Sequence, residues 1–218
     1  EAERYGNVLV PFSSRESAYD CVPDRQSWDD LPEDLTYLHY TSNNTVAGTE
    51  YHYVPQVASG LLICDMSSNI LSREIPGHVF DLIYAGAQKN MGRAGVTVVI
   101  MRHDLLNQCA PNLPLMLRYQ THIEKESLYN TPCTFGIYMI ERVCAWIESM
   151  GGIEAISYRN QQQALQIYDV IDGSEFWHGK VVPSARSFMN ITFTTGDEQL
   201  DEKFWKMADA EGLSGLKG

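Results

Sequence analysis

The stretch that most constrains the chain is Asp81 to Gly95, Asp-Leu-Ile-Tyr-Ala-Gly-Ala-Gln-Lys-Asn-Met-Gly-Arg-Ala-Gly. An apolar run, Leu82 to Ala85, enters a turn built from Gly86, Ala87, Gly92 and Gly95, and a second apolar run, Val96 to Met101, leaves it. Short apolar runs bounded by glycines predict two strands with the turn between them. Lys89 stands in the middle of that turn. Small neighbours let backbone and a planar ligand come close to such a lysine. Desolvation lowers an amine's pKa, and an amine able to lose its proton can form a Schiff base. A surface lysine in a glycine turn is the plain alternative, and on this stretch alone it is the commoner arrangement.

A phosphate-binding P-loop does not fit. That motif needs Gly-Lys-Ser/Thr, whereas Lys89 follows Ala87-Gln88 and precedes Asn90, with no hydroxyl to hold magnesium. A dinucleotide Gly-x-Gly-x-x-Gly is absent from the turn as well. Upstream, Gly60-Leu-Leu-Ile-Cys-Asp65-Met-Ser-Ser-Asn69 reads as a buried strand with its polar groups at the C-terminal end. In open α/β sheets that end is where ligands sit. A pyridoxal-phosphate site wants a lysine for the cofactor's aldehyde and a carboxylate for its pyridinium nitrogen. Lys89 and Asp65, on consecutive predicted strands, could supply the two.

Three longer segments carry a resemblance. Cys64-Asp-Met-Ser-Ser-Asn-Ile-Leu-Ser-Arg73, Ile83 through Ile100, and Ser127-Leu-Tyr-Asn-Thr-Pro-Cys-Thr-Phe135 closely resemble the phosphoserine aminotransferase family, in register from His39-Tyr-Thr-Ser-Asn-Asn-Thr45 to Glu211-Gly-Leu-Ser-Gly-Leu-Lys-Gly218. The resemblance implies an α/β, fold-type-I pyridoxal-phosphate transferase: a mostly parallel central sheet flanked by helices, plus a smaller α+β C-terminal domain. It implies transfer of the amino group of glutamate to 3-phosphohydroxypyruvate, in the cytoplasm, by a homodimer. By the same resemblance Lys89 is the Schiff-base lysine and proton shuttle, and Asp65 pairs with the pyridine nitrogen. Thr45 bonds the cofactor ring and Gln88 contacts its phosphate region. Asn130 and Thr131 reach the cofactor phosphate of the other subunit. Residues 1–150 are expected in the large cofactor-binding domain and 151–218 in the small one, with further family segments before Glu1 and after Gly218. Arg93 and Cys133 stand where many relatives have proline, and Phe188 where many have arginine.

Composition narrows the partners. A formal net charge of −12 argues against nucleic acid or an anionic membrane surface. Five scattered cysteines without a Cys-x-x-Cys predict reduced thiols. The apolar runs are too short to span a membrane, and the six histidines show no metal-ligand spacing. The acidic group Asp29, Asp30, Glu33 and Asp34 reads as a solvated loop. Asn43-Asn-Thr45 also matches a glycosylation sequon, though a structural or ligand role of Thr45 is preferred. His39 reads as a core histidine.

Strands are expected near residues 8, 38, 62, 82 and 98, some of them antiparallel because short connections cannot hold a helical crossover. Ser13 to Asp34, with Trp28, reads as a surface connection. Residues 103–133 are expected to be irregular, with Arg118 and His122 the best candidates to receive a substrate phosphate. Thr134 to Met150 is predicted as a helix with Phe135, Met139, Val143, Ile147 and Met150 inward, stopped by Gly151-Gly152. Glu154 to Asp172 forms a second helix. Residues 187–194 alternate as a half-buried strand. Thr195-Gly-Asp-Glu198 opens a last helix with Leu200, Phe204 and Ala208 inward.

Overall fold

The computed structural model describes residues 2–110 and 112–216; the last two residues of the Glu211–Gly218 motif lie outside them. The strands are β1 (Tyr37–Thr41), β2 (Asn43–Asn44), β3 (Thr49–Glu50), β4 (Leu61–Asp65), β5 (Leu82–Gly86), β6 (Thr97–Met101), β7 (His178–Gly179) and β8 (Phe193–Thr194). The helices are α1 (Tyr119–Glu124), α2 (Thr134–Ser149), α3 (Gly152–Asp172) and α4 (Glu198–Ala210). The chain divides into two compact units, one of residues 1–31, 43–56 and 158–218, the other of residues 32–42 and 57–157.

The second unit holds a sheet in the order β1-β4-β5-β6. β1, β4 and β5 run parallel, and β6 returns antiparallel to β5, as the short connection between them requires. Alternation along the strands buries Leu38, Tyr40, Leu62, Cys64, Ile83 and Ala85 on one face. Asp81 secures the starting edge. Its backbone N–H donates to Leu62 O, its Oδ2 accepts from Leu62 N at 2.7 Å, and its Oδ1 pairs with Arg102. Gly60 enters β4 at φ +83°, where a Cβ would stand 2.3 Å from Leu35 O.

Helix α2 rests on the turn between β5 and β6 through two glycines. A Cβ on Gly136 would lie 2.6 Å from Val96 Cγ2, and one on Gly92 would lie 3.0 Å from Ile140 Cγ1. The expected inward stripe of α2 is only partly right. Ile147 is buried and Met139 and Val143 are half-buried, but Phe135 and Met150 are exposed, because contact with the turn centres on Gly136 and Ile140 instead. Phe135, Ile137, Tyr138 and Trp146 remain 46–55% exposed. The glycine pair breaks the helix as predicted: Gly151, at φ +98°, lies between α2 and α3, and Gly152, at φ +83°, opens α3 two residues before the expected start. The 103–133 segment is less irregular than expected, since it contains α1 and short 3₁₀ turns.

In the first unit the C-terminal part of α3 turns Ala164, Tyr168 and Ile171 inward against Trp177, Phe188, Ile191 and Phe193. Trp177, Phe193 and Phe204 meet edge to face, at centroid separations of 4.8–5.9 Å. Arg186 forks onto Asp172 at 2.6 and 2.7 Å and lies over the Tyr168 ring. Four expectations are corrected here. Asn7–Phe12 forms no strand: no described segment pairs with it, and Val8, Leu9 and Val10 are exposed. Residues 187–194 form a strand only at β8, because Ser187 Oγ accepts from the N–H groups of Met189 and Asn190 and bends the chain into a turn. Trp28 is buried, donating to Tyr53 Oη at 3.0 Å, so its segment is more than a surface connection. Helix α4 is capped by Asp197, whose side chain accepts from Gln199 N and Leu200 N; Ala208 is buried, but Leu200 faces outward.

Candidate active site

Parallel strands bring their C-terminal ends to one edge, and the register sets Thr41, Asp65 and Tyr84 in a row across β1, β4 and β5. Alternation puts these residues, with His39, on the face opposite the buried Leu38, Tyr40, Leu62 and Cys64. Asp65 is half-buried and closes an Asx turn, its Oδ1 accepting from Ser67 N at 2.8 Å. Ser67 Oγ in turn accepts from Gly86 N at 3.0 Å, which ties the end of β5 to the loop that follows Asp65. The Asp65 carbonyl accepts from Ser42 N at 3.0 Å.

Tyr84 stands beside Asp65. Its hydroxyl is 2.9 Å from His39 Nε2, and the two rings stack at 5.9 Å with 22° between planes. Partial burial, and then the charge and hydrogen bonding of the Asp65 carboxylate, push the Tyr84 hydroxyl up to about 12. Protein around the His39 ring lowers its pKa, and the Asp65 charge opposes this. The ring itself is exposed, so His39 is not a core histidine. Burial pushes the neighbouring Cys64 thiol up to about 11, too high for a nucleophile at neutral pH.

The turn that carries Lys89 is held by its backbone. Ala87 N donates to Val96 O at 2.9 Å and Gly92 N to Ala87 O at 2.8 Å; Asn90 Nδ2 donates to Ile70 O at 2.5 Å. Ala87 and Met91 are buried, whereas Gln88 and Lys89 are exposed. The small residues therefore bury the turn and not the amine, and the expected stripping of water from Lys89 is not observed. Gly86 leaves space that the Gln88 amide occupies: a Cβ there would lie 2.6 Å from Gln88 Oε1.

Asp65, Gln88 and Lys89 thus share adjoining strand ends. Asn130 and Thr131 lie in the same unit, exposed on the loop before α2, with Asn130 Nδ2 donating to Thr131 O at 3.1 Å. Thr45 belongs to the first unit, half-buried in the β2–β3 turn that Asn44 Oδ1 braces by accepting from Val46 N and Ala47 N. Of the two candidates for a substrate phosphate, Arg118 Nε donates to Leu113 O, and His122 Nε2 lies 3.0 Å from Met116 O. Sequence reasoning passed over Tyr84, Asn90 and Gly136. Tyr84 alone carried a signal, two residues before Gly86 and in step with Asp65.

A pyridine cofactor with an aldehyde needs a carboxylate at its ring nitrogen and an amine at its aldehyde. Asp65 ends β4 and Lys89 stands in the turn that follows the neighbouring β5, and Gly86 leaves a movable amide, not a fixed side chain, at the strand end leading to Lys89. The residues present fit such a group. Among the described residues, no group of three or more His, Cys, Asp or Glu is placed to hold a metal ion, and no helix is long and apolar enough to cross a membrane.

The family model for class-V aminotransferases matches residues 20–215. The chain belongs to the class-V aminotransferase family. It is 50% identical to a phosphoserine aminotransferase of Halalkalibacterium halodurans, over 100% of this chain and 60% of that protein. Among solved structures, a phosphoserine aminotransferase from Bacillus circulans subsp. alkalophilus superposes with a TM-score of 0.96 at 47% identity, covering 100% of this chain and 60% of the other. A pyridoxal-phosphate-bound phosphoserine aminotransferase from Trichomonas vaginalis gives 0.84 at 37% identity, covering 91% and 56%. The fold is that of the fold-type-I aminotransferases, α/β with a mixed sheet. The chain spans 60% of the length of the curated relatives it matches.

Proposed function

We propose that the protein transfers the amino group of L-glutamate to 3-phosphohydroxypyruvate, giving O-phospho-L-serine and 2-oxoglutarate in serine biosynthesis, with pyridoxal 5′-phosphate as cofactor. The observation that carries this reading is identity of 50% with a phosphoserine aminotransferase across the whole chain. The placement of Asp65 at the end of β4 and of Lys89 in the turn after the neighbouring β5 supports it.

Lys89 Nζ would hold the cofactor at its aldehyde carbon, and the free amine would serve as the base that moves the proton of the substrate α-carbon. Asp65 holds the ring nitrogen and keeps a proton there. The cofactor, when bound, supplies an electron sink for the charge that develops at the α-carbon. Thr45 bonds the ring, and Gln88 contacts the phosphate region from beside Lys89. Asn130 and Thr131 reach the cofactor phosphate of the partner subunit in a homodimer. Their exposure, and the apolar side chains that α2 presents nearby in sequence, suit a subunit contact there. Residues 1–150 contribute to the large cofactor-binding domain and 151–218 to the small C-terminal one. Five free thiols suit a cytoplasmic location.

Borohydride reduction of the cofactor-loaded full-length protein, followed by peptide mapping, tests the assignment. The expected result is cofactor mass on the Lys89 peptide and no turnover in Lys89→Ala. Turnover near the wild-type rate in that variant would refute it. Rates with 3-phosphohydroxypyruvate, pyruvate and oxaloacetate compared side by side test the substrate, the first being expected to dominate.

A further inference from the structure

We propose that Tyr84 and His39 are positioning residues for Asp65, forming a hydrogen-bonded row from His39 Nε2–H to Tyr84 Oη–H to the Asp65 carboxylate. The row fixes where that carboxylate points. The inference rests on the assignment of Asp65 to the cofactor's ring nitrogen given above.

Register comes first. Tyr84 is the Cα partner of Asp65 across the β4–β5 pair, so the two side chains stand on one face as direct neighbours. His39 lies on the next strand, two residues before the Asp65 partner Thr41, and therefore on the same face. Contact follows from the register. Tyr84 Oη and His39 Nε2 are 2.9 Å apart, the two rings stack, and the Asp65 carboxylate acts on the Tyr84 hydroxyl from the neighbouring strand. The backbone N–H of Ser67 already claims Asp65 Oδ1. With the Tyr84 hydroxyl as a second donor, the carboxylate cannot swing freely about its terminal torsion.

The donor inventory sets the direction. An ionised carboxylate only accepts, so Tyr84 must donate its hydroxyl proton to Asp65. The Tyr84 oxygen then has lone pairs left and no proton for His39. His39 must donate from Nε2, which assigns its tautomer. The electrostatics agree with this order. Tyr84 stays protonated, with its pKa raised to about 12, and the lowered pKa of His39 favours the neutral ring. The phenol and the imidazole of the row are therefore both uncharged. None of the three is a packing residue of the buried face, which is filled by Leu38, Tyr40, Leu62, Cys64, Ile83 and Ala85.

The test uses full-length protein, stripped of cofactor and titrated with pyridoxal 5′-phosphate, as wild type, Y84F, H39Q, H39L, D65N and Y84F/D65N. In the loaded proteins, a ¹⁵N label in the cofactor ring reports the nitrogen's environment directly. Y84F is expected to weaken cofactor binding by roughly tenfold, the usual cost of one charge-assisted hydrogen bond, and to shift the ¹⁵N signal. H39L should move both readouts in the same direction, and H39Q, which keeps a side-chain N–H, should restore them. In the D65N background Y84F should change neither. Equal losses from Y84F in both backgrounds would show a packing role and overturn the proposal. Wild-type readouts in Y84F beside an impaired D65N would overturn it too. Wild-type readouts in D65N itself would instead sink the pairing of Asp65 with the ring nitrogen, and the positioning role with it.

Discussion

Asp81→Ala should destabilise the sheet far more than its place at a strand edge suggests. The side chain is only 11% exposed, and one oxygen accepts from the N–H of the buried Leu62 at 2.7 Å. Alanine leaves that donor unpaired, with too little space opened for water to replace the carboxylate fully. An unsatisfied buried N–H costs roughly 1–3 kcal/mol. The ion pair with Arg102 adds little, because that guanidinium is half-exposed and also forks onto Asp104. The expected loss is therefore about 2 kcal/mol, carried almost wholly by the Leu62 contact. Asp81→Asn is the informative control. Its amide oxygen can still accept from Leu62 N while the charge is gone, so it should lose only a small part of that amount. Urea denaturation of the full-length protein, followed by circular dichroism, measures both at constant m. Equal destabilisation by the two variants would show that the ion pair, not the strand N–H, is what Asp81 contributes, and the reasoning would be wrong.

Gly60→Ala should cost at least 1–2 kcal/mol, since φ is +83° and the new methyl would meet the Leu35 carbonyl; a midpoint unchanged in urea would refute it. Asp201 should give acid-sensitive stability. The Thr194 hydroxyl first, and then the Thr195 N–H, hold its carboxyl below the usual value of 3.8, so its contribution is full above that pH and is lost as pH falls through the folded value. Asp201→Asn should accordingly be less stable than wild type at pH 6 and converge on it as pH falls through the folded-state value, which lies below 3.8. Cys64, buried and with its thiol pushed up, should resist iodoacetamide at neutral pH until urea unfolds the chain, as peptide mass spectra will report.

The parts of this fold legible in the sequence are those fixed by local pattern. Glycine punctuation and apolar runs located β4, β5 and β6, and the short β5–β6 connection gave their antiparallel return. Gly151-Gly152 marked the join of α2 and α3. What stayed hidden depends on partners distant in sequence. Asn7–Phe12 has a strand's composition but finds no strand partner among the described residues. The alternation at 187–194 is real, yet one serine hydroxyl competes for its N–H groups and wins. The α2 stripe was misread because helix periodicity says which residues share a face, not which face meets a glycine. In the candidate site, Asp65 and Lys89 stood out by residue type, whereas Tyr84 is an ordinary tyrosine until strand register sets it beside Asp65.

The antiparallel return of β6 has a kinetic meaning. Gly86 pairs with Thr97, so the turn bearing Lys89 is closed by strands that are immediate neighbours in the chain. Closing a loop of about ten residues takes tens of nanoseconds, and a hairpin microseconds. The parallel partnership that places Asp65 joins Tyr37 to Leu61, across roughly two dozen intervening residues, and so carries a larger closure entropy. Amide protons along β5 and β6 should therefore gain protection ahead of those linking β1 to β4 during refolding. The amine's bracket would then be built before the carboxylate arrives beside it.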